Sequence, residues 1–195
     1  MKALNLTNSS TQHKRKESDF YPTPSDVTQA LIDTGCIPKG CIWEPACGDG
    51  HMGFVFEKNG YSVSASDIRA TSYAHFQRDF MIAPLPAHVT AVITNPPFNL
   101  STEFIRRCVD LQIPVFAMLL KSQYWHSQKR AALFEKYPPA YVMALTWRPD
   151  FCFGDRGGAP TMDCIWTIWI EGQTDTRYRV LRKPSVMFKG VSCER

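Results

Sequence analysis

Cys41-Ile42-Trp43-Glu44-Pro45-Ala46-Cys47-Gly48-Asp49-Gly50-His51-Met52-Gly53 is the stretch on which the fold turns. A short apolar run gives way to an acid and a proline. Glycines spaced G-x-G-x-x-G follow, and then Phe54-Val55-Phe56-Glu57-Lys58-Asn59 before Gly60. The run reads as a buried strand, the glycines as a tight turn and the next residues as a helix. Asp67 follows Gly48 by 19 positions and ends Ser62-Val63-Ser64-Ala65-Ser66, a second strand. This is the pattern in which a helix N-terminus meets a ligand and a carboxylate takes ribose hydroxyls. Alone it fits any adenosine-bearing ligand, a nicotinamide cofactor included, and an ordinary strand–helix turn satisfies it too.

The chain on either side keeps the same alternation. Asp19-Phe20-Tyr21-Pro22-Thr23-Pro24 is stiff and aromatic, and Ser25 to Ile32 is a helix with Ser25 as N-cap and Gly35 as its stop. A weaker strand near Phe76 precedes Asp79-Phe80, and Ala91-Val92-Ile93-Thr94 is another strand. Ser101 caps a helix with Phe104, Ile105, Cys108 and Val109 on one face. Val115 to Leu120 is a continuous apolar strand, Ser127 to Tyr137 a helix, and Tyr141–Trp147 and Cys164–Ile170 are two further strands. Arg148 to Asp163 is a long glycine-rich loop, and past Gly172 the chain either adds a final strand or tails off. Strands alternating with helices predict an α/β fold: a mostly parallel, doubly wound sheet with a final antiparallel strand. Ligands of such sheets bind beyond the carboxyl ends of the strands. The Glu44–Gly53 loop, Asp67, Asp79-Phe80 and Asn95-Pro96-Pro97-Phe98 all fall there.

The last of these carries chemistry. Pro96 and Pro97 lack an N–H and hold the backbone stiff, so a carboxamide, bare carbonyls and an aromatic ring are presented together at a strand end. That suits a flat, nitrogen-bearing substrate.

Composition sets bounds. The chain has 195 residues, 44% hydrophobic and 21% charged, with Lys+Arg 22 against Asp+Glu 18 and a net charge of +4. These values fit one globular domain over residues 19–195, with residues 1–18 as a polar, basic tail ending in His13-Lys14-Arg15-Lys16. No apolar run reaches the ~20 residues of a membrane span, and no leader-like apolar segment opens the chain. Seven cysteines without a C-x-x-C pair argue for reduced thiols in a cytoplasmic protein and against a metal site.

Glu44-Pro45-Ala46-Cys47-Gly48-Asp49-Gly50 together with Asn95-Pro96-Pro97-Phe98 resembles the S-adenosylmethionine-dependent amino-methyltransferases, most closely the DNA adenine-N6 family. Asn-Pro-Pro-Phe is similar to that family's (D/N/S)-P-P-(Y/F/W) motif, and Tyr21-Pro22-Thr23-Pro24 to its upstream motif. The order resembles the gamma arrangement, in enzymes of phage or mobile-element type with a bacterial host. The resemblance covers about residues 19 to 170 and implies a Rossmann-like class I methyltransferase with S-adenosyl-L-methionine as cofactor. It implies that Tyr21, Thr23, Pro24 and the Glu44, Pro45, Ala46, Cys47, Gly48 and Gly50 loop bind the methionine part, with Glu44 facing its amino group. Asp67, with Ile68 beside it, is implied for the ribose, Asp79 and Phe80 for the cofactor's adenine, and Asn95 lies next to the cofactor. Asn95, Pro96, Pro97 and Phe98 are implied as the catalytic residues.

If Asn95 Oδ1 and the Pro96 carbonyl each accept one N–H, a ring-conjugated amino group is pulled toward tetrahedral geometry and its lone pair is freed. Phe98 then stacks on the ring, and transfer relies on proximity and orientation. A base in a duplex has to be flipped or already single-stranded to reach such a pocket. A second aromatic wall is therefore expected, with Phe151 or Phe153 as candidates. Lys121, Lys129, Arg130, Arg148 and Arg156 are candidates for phosphate contacts. No segment is left for a separate target-recognition domain, so either loops do the reading, or specificity is low, or a partner chain supplies it. RNA adenine, a protein glutamine side chain and a non-catalytic binding role remain as alternatives.

Overall fold

The computed structural model describes residues 21–153 and 159–185, and Arg156 and residues 1–20 of the expectations above lie outside them. The described elements run α1 (Ser25–Asp33), β1 (Cys41–Glu44), α2 (His51–Lys58), β2 (Ser62–Asp67), β3 (Phe76–Gln77), β4 (Val89–Thr94) and α3 (Ser101–Asp110). They continue with β5 (Val115–Lys121), α4 (Gln128–Lys136), β6 (Tyr141–Leu145), β7 (Cys164–Ile170) and β8 (Arg177–Leu181). The strands form one sheet in the order β3-β2-β1-β4-β5-β7-β6-β8.

Strand alternation assigns the two faces. Ile42, Ile93, Leu119, Met143 and Trp166 point to one side, where Val27 and Leu31 of α1 and Met52 and Phe56 of α2 cover them. Trp43, Val92, Met118, Leu120 and Ile165 point to the other, against Phe104, Ile105 and Cys108 of α3 and Leu133 of α4. β5 is buried on both faces, which is why it reads as an unbroken apolar run. The sheet is doubly wound, as the alternating pattern predicts.

Cys164–Ile170 is the antiparallel strand expected at the end of the sheet-forming run, and the chain adds one more strand after it. β7 runs antiparallel between β5 and β6, whereas β8 forms after it and pairs in parallel with β6 at the sheet edge. Helix starts differ slightly from expectation as well. Ser25 and Ser101 are the first helical residues rather than caps, and Ser101 Oγ donates to the Phe98 carbonyl at 3.2 Å. Gly35 takes φ +68 just past α1, the left-handed stop expected of it. The buried Trp166 indole donates to the Val27 carbonyl at 3.0 Å, which pins the start of α1, and with it Tyr21–Pro24, to the centre of the sheet.

Candidate functional site

The carboxyl ends of β1, β2, β4 and β5 surround a cavity of about 820 Å³, within the ~300–1,000 Å³ usual for small-ligand sites. Tyr21, Thr23, Glu44, Pro45, Ala46, Cys47, Asp67, Ile68, Asp79, Phe80 and the whole of Asn95–Phe98 line it. Five segments spread along the sequence from Tyr21 to Phe98 thus meet at one place, because parallel strands put their loops on the same edge.

Two hydrogen bonds fix the orientation of the Asn95 side chain. Its Nδ2 donates to the Tyr21 carbonyl at 3.0 Å and to Thr23 Oγ1 at 3.1 Å. A backbone carbonyl only accepts, so the amide nitrogen has to be on that side, and Oδ1 faces away from it. Oδ1 is buried and has no hydrogen-bond partner. A buried acceptor left unpaired costs about 1–3 kcal/mol, so a ligand that brings a donor to Oδ1 recovers that cost. Pro96 beside it is buried, and Phe98 is half-buried with its ring 5.4 Å from that of Tyr21.

Glu44 shows the same incompleteness. It is 3% exposed, and its Oε2 also lacks a partner. Burial raises its carboxyl well above the ordinary value of 4.5, a hydrogen bond from the Gly53 backbone opposes this, and the Asp67 and Glu57 charges add to the rise. Asp67 is occupied instead. Its Oδ2 accepts from the Gly48 N–H at 2.8 Å, and its Oδ1 accepts from the Arg69 N–H and Nε. The carboxylate therefore ties the glycine turn to the end of β2. Asp79 Oδ1 accepts from the Met81 N–H, and Arg107 of α3 donates to the carbonyls of Phe80 and Ala83, which holds the Phe80 ring against Trp43. Burial first, and the Glu44 and Asp67 charges next, push the Cys47 thiol up to about 12, so it stays protonated.

Other expectations need correction. Pro24, Gly48 and Gly50 do not line the cavity. Gly50, at φ +85, and Gly53 face the Tyr73 ring, which a Cβ at either position would overlap. Two of the three glycines thus make room for a tyrosine of this chain, itself held by a 2.9 Å hydrogen bond to Glu57, rather than for a ligand. Phe151 is buried in the core on the α1 side and meets Tyr21 edge-on at 5.9 Å, so it backs the wall of the cavity instead of forming it. Phe153 is 55% exposed and stacks on His51 at 5.4 Å, and His51 does line the cavity.

The expected phosphate contacts scatter. Lys121 sits inside the cavity wall with Nζ 4.0 Å over the Phe98 ring. Arg130 donates to the Tyr124 carbonyl, Arg148 pairs with Asp163 at 2.8 Å, and Lys129 borders a separate hollow between α3 and α4. Sequence reasoning passed over His51, Met52, Arg69, Met81 and Leu100, which also line the cavity. Their positions next to the glycine turn, Asp67, Asp79 and Phe98 were the only available signal.

No protein-family model matches the chain, and no curated protein sequence matches it. Solved structures do. Over 88% of its length the chain superposes on a protein of Listeria monocytogenes assigned to the class I S-adenosylmethionine-dependent methyltransferases, with a TM-score of 0.57 and 13% identity, covering 68% of that chain. A modification subunit assigned to a type I restriction enzyme of Vibrio vulnificus gives a TM-score of 0.57 and 11% identity over 88% of this chain and 49% of that one. A dimethyladenosine transferase from Plasmodium falciparum gives a TM-score of 0.58 and 11% identity over 77% and 63%. The chain thus spans about half the length of the second. At such identities the likeness is one of fold: the doubly wound sheet is Rossmann-like, as it is in those structures.

Proposed function

We propose that this protein transfers a methyl group from S-adenosyl-L-methionine to the exocyclic N6 amino group of adenine in DNA. The observation that carries the reading is Asn95, whose amide nitrogen is held by Tyr21 and Thr23 and whose Oδ1 is buried and unpartnered beside Pro96 and Phe98. An aromatic amino group is a poor nucleophile because its lone pair is delocalised into the ring. Oδ1 and the Pro96 carbonyl accept its two N–H groups, and Phe98 holds the ring plane. The lone pair is thereby localised and aimed. Asn95 cannot act as a base, so the charged product loses its proton to solvent after transfer.

Glu44 and Asp67 fit the cofactor. The unpaired, buried Glu44 Oε2 suits its ammonium group, Asp67 a ribose hydroxyl through the lone pair that Oδ2 keeps beyond its bond from Gly48, and Asp79 with Phe80 its adenine. When bound, the cofactor supplies an electrophilic sulfonium methyl group. Its adenosine half and a second flat ring are both compatible with a cavity of about 820 Å³.

The test is methyl transfer from radiolabelled cofactor to separate pools of DNA, RNA and protein. Label is expected in DNA adenine. Label in RNA alone would transfer the reading to RNA adenine, and label in protein alone would overturn it. Asn95→Ala is expected to slow transfer by at least 100-fold while cofactor affinity, measured by calorimetry, changes less than fivefold, consistent with the ~1–3 kcal/mol or more at stake in each oriented contact.

A further inference from the structure

β8 is the edge of the sheet and is exposed on nearly its whole length. Its register places Tyr178 beside Val142 and Val180 beside Ala144. Those partners pack on the α3–α4 side, but the apolar layer there stops short of β8, and Tyr178 and Val180 are 68% and 56% exposed. Arg177, Arg179, Arg182 and Lys183 lie within residues 177–183, which hold no acid. They equal the whole chain's net charge of +4, so the remainder is formally balanced. Lys183 is shared with Asp26 at 3.3 Å, and Arg179 lies over the Tyr141 ring at 4.5 Å. Among the described residues, Arg177 and Arg182 make no side-chain ion pair.

The strand points at the cavity edge of the molecule. β8 is parallel to β6, and through β7 to β5 and β4, so Arg182 and Lys183 leave the sheet on the same side as Asn95. Glu171 and Asp175 lie at the opposite end, in the turn before β8. The Leu181 carbonyl accepts from the Thr146 N–H and hydroxyl, at the start of the segment that carries Phe151 to Tyr21 in the cavity wall. Four strand spacings of about 4.8 Å separate β8 from β4, roughly 19 Å.

We infer that β8 and residues 182–183 form a second, non-catalytic contact for single-stranded nucleic acid, with Arg177 and Arg182 on phosphates and Tyr178 stacking on a base outside the cavity. An exposed aromatic set among unpaired arginines is the chemistry that holds single strands without reading their sequence. The charge calls for a polyanion, and the open ring of Tyr178 selects one with unstacked bases. The inference rests on the proposed nucleic-acid substrate, but its test does not use methyl transfer.

Fluorescence anisotropy with a labelled oligothymidylate of about 12 nucleotides, within the ~4–16 nucleotides such surfaces cover, reads the contact directly, because thymine offers no adenine amino group. Arg177→Gln/Arg182→Gln is expected to weaken binding about tenfold and to lower the salt slope by about 1.4, at ~0.7 per phosphate on a single strand. Tyr178→Ala is expected to weaken it at least fivefold with an unchanged salt slope. Both variants should keep the wild-type Tm, since the three side chains are exposed. Absence of wild-type binding, or equal affinity and slope in all three proteins, overturns the inference. So does equal affinity accompanied by self-association of the variants, which would make these arginines guards against edge-to-edge pairing. Wild-type oligothymidylate binding that the variants lose, without methyl transfer to any nucleic acid, would overturn the proposed activity and leave this surface standing.

Discussion

Glu44 and Asn95 each present a buried oxygen with nothing to bond, and the two differ in what pH does to them. The folded chain holds the Glu44 proton more tightly than the unfolded chain, because burial raises its carboxyl well above 4.5. Its contribution to stability is therefore fully present below about pH 4.5 and is lost as pH rises toward the raised folded value. Glu44→Gln cannot ionise. Its thermal midpoint, followed by circular dichroism from pH 4 to 8, is expected to fall less with pH than that of the wild type, leaving the variant a few degrees more stable at pH 8 at ~2–4 °C per kcal/mol. The same variant is expected to bind S-adenosylmethionine at least tenfold more weakly, in line with the loss of a charge-assisted hydrogen bond. Coinciding pH profiles would mean that Glu44 does not titrate in this window. Cys47, with its thiol pushed up to about 12, should resist alkylation at pH 8 in the folded protein, read by mass spectrometry, and react on unfolding.

The glycine turn teaches more at the scale of the element. Its spacing made the strand, turn and helix legible, because φ +53 at Gly48 and +85 at Gly50 favour glycine. It did not say what approaches the glycines. Tyr73, 20 residues past Gly53, reaches back to fill the space, and no local pattern announces a contact of that range. Opposing effects make Gly53 a sharp probe. Alanine in a helix is favoured over glycine by about 1 kcal/mol, while forcing a methyl group into a filled space costs about 1–3 kcal/mol. Gly53→Ala is expected to destabilise the wild type by about 1 kcal/mol in urea unfolding and to stabilise a Tyr73→Ala background by a similar amount. The same sign in both backgrounds would show that Tyr73 does not define this site. Phe151 and Lys121 were misplaced for a related reason. An aromatic in a glycine-rich loop carries no mark of burial, and a lysine ending a strand carries none of whether it turns out to phosphate or inward over Phe98.

For the molecule as a whole, alternation of strands and helices was enough to predict the doubly wound sheet, and with it the gathering of Glu44, Asp67, Asp79 and Asn95 on one edge. Strand order was less legible, since β7 and β8 acquire their places through pairings that skip a neighbour in sequence. A cavity that links the Tyr21–Thr23 segment with the ends of β1, β2 and β4 also makes ligand binding a global matter. Saturation at about 100 times the dissociation constant adds about 2.7 kcal/mol, so S-adenosylhomocysteine is expected to raise Tm by about 5–10 °C in a thermal-shift assay. Asp67→Asn should halve that rise or more, and an unaltered Tm in the wild type would count against cofactor binding. The place of β7 has a further consequence, for biosynthesis. β5 emerges from the ribosome some 45 residues before the strand that covers it, and until Cys164–Ile170 follows, Phe116 to Leu120 form an open, apolar edge while β6 has no partner connecting it to the sheet. Such edges invite pairing between chains. A chain stopped at residue 160 is therefore expected to accumulate in the insoluble fraction, whereas one stopped at residue 175, with β7 complete and only β8 missing, should remain largely soluble.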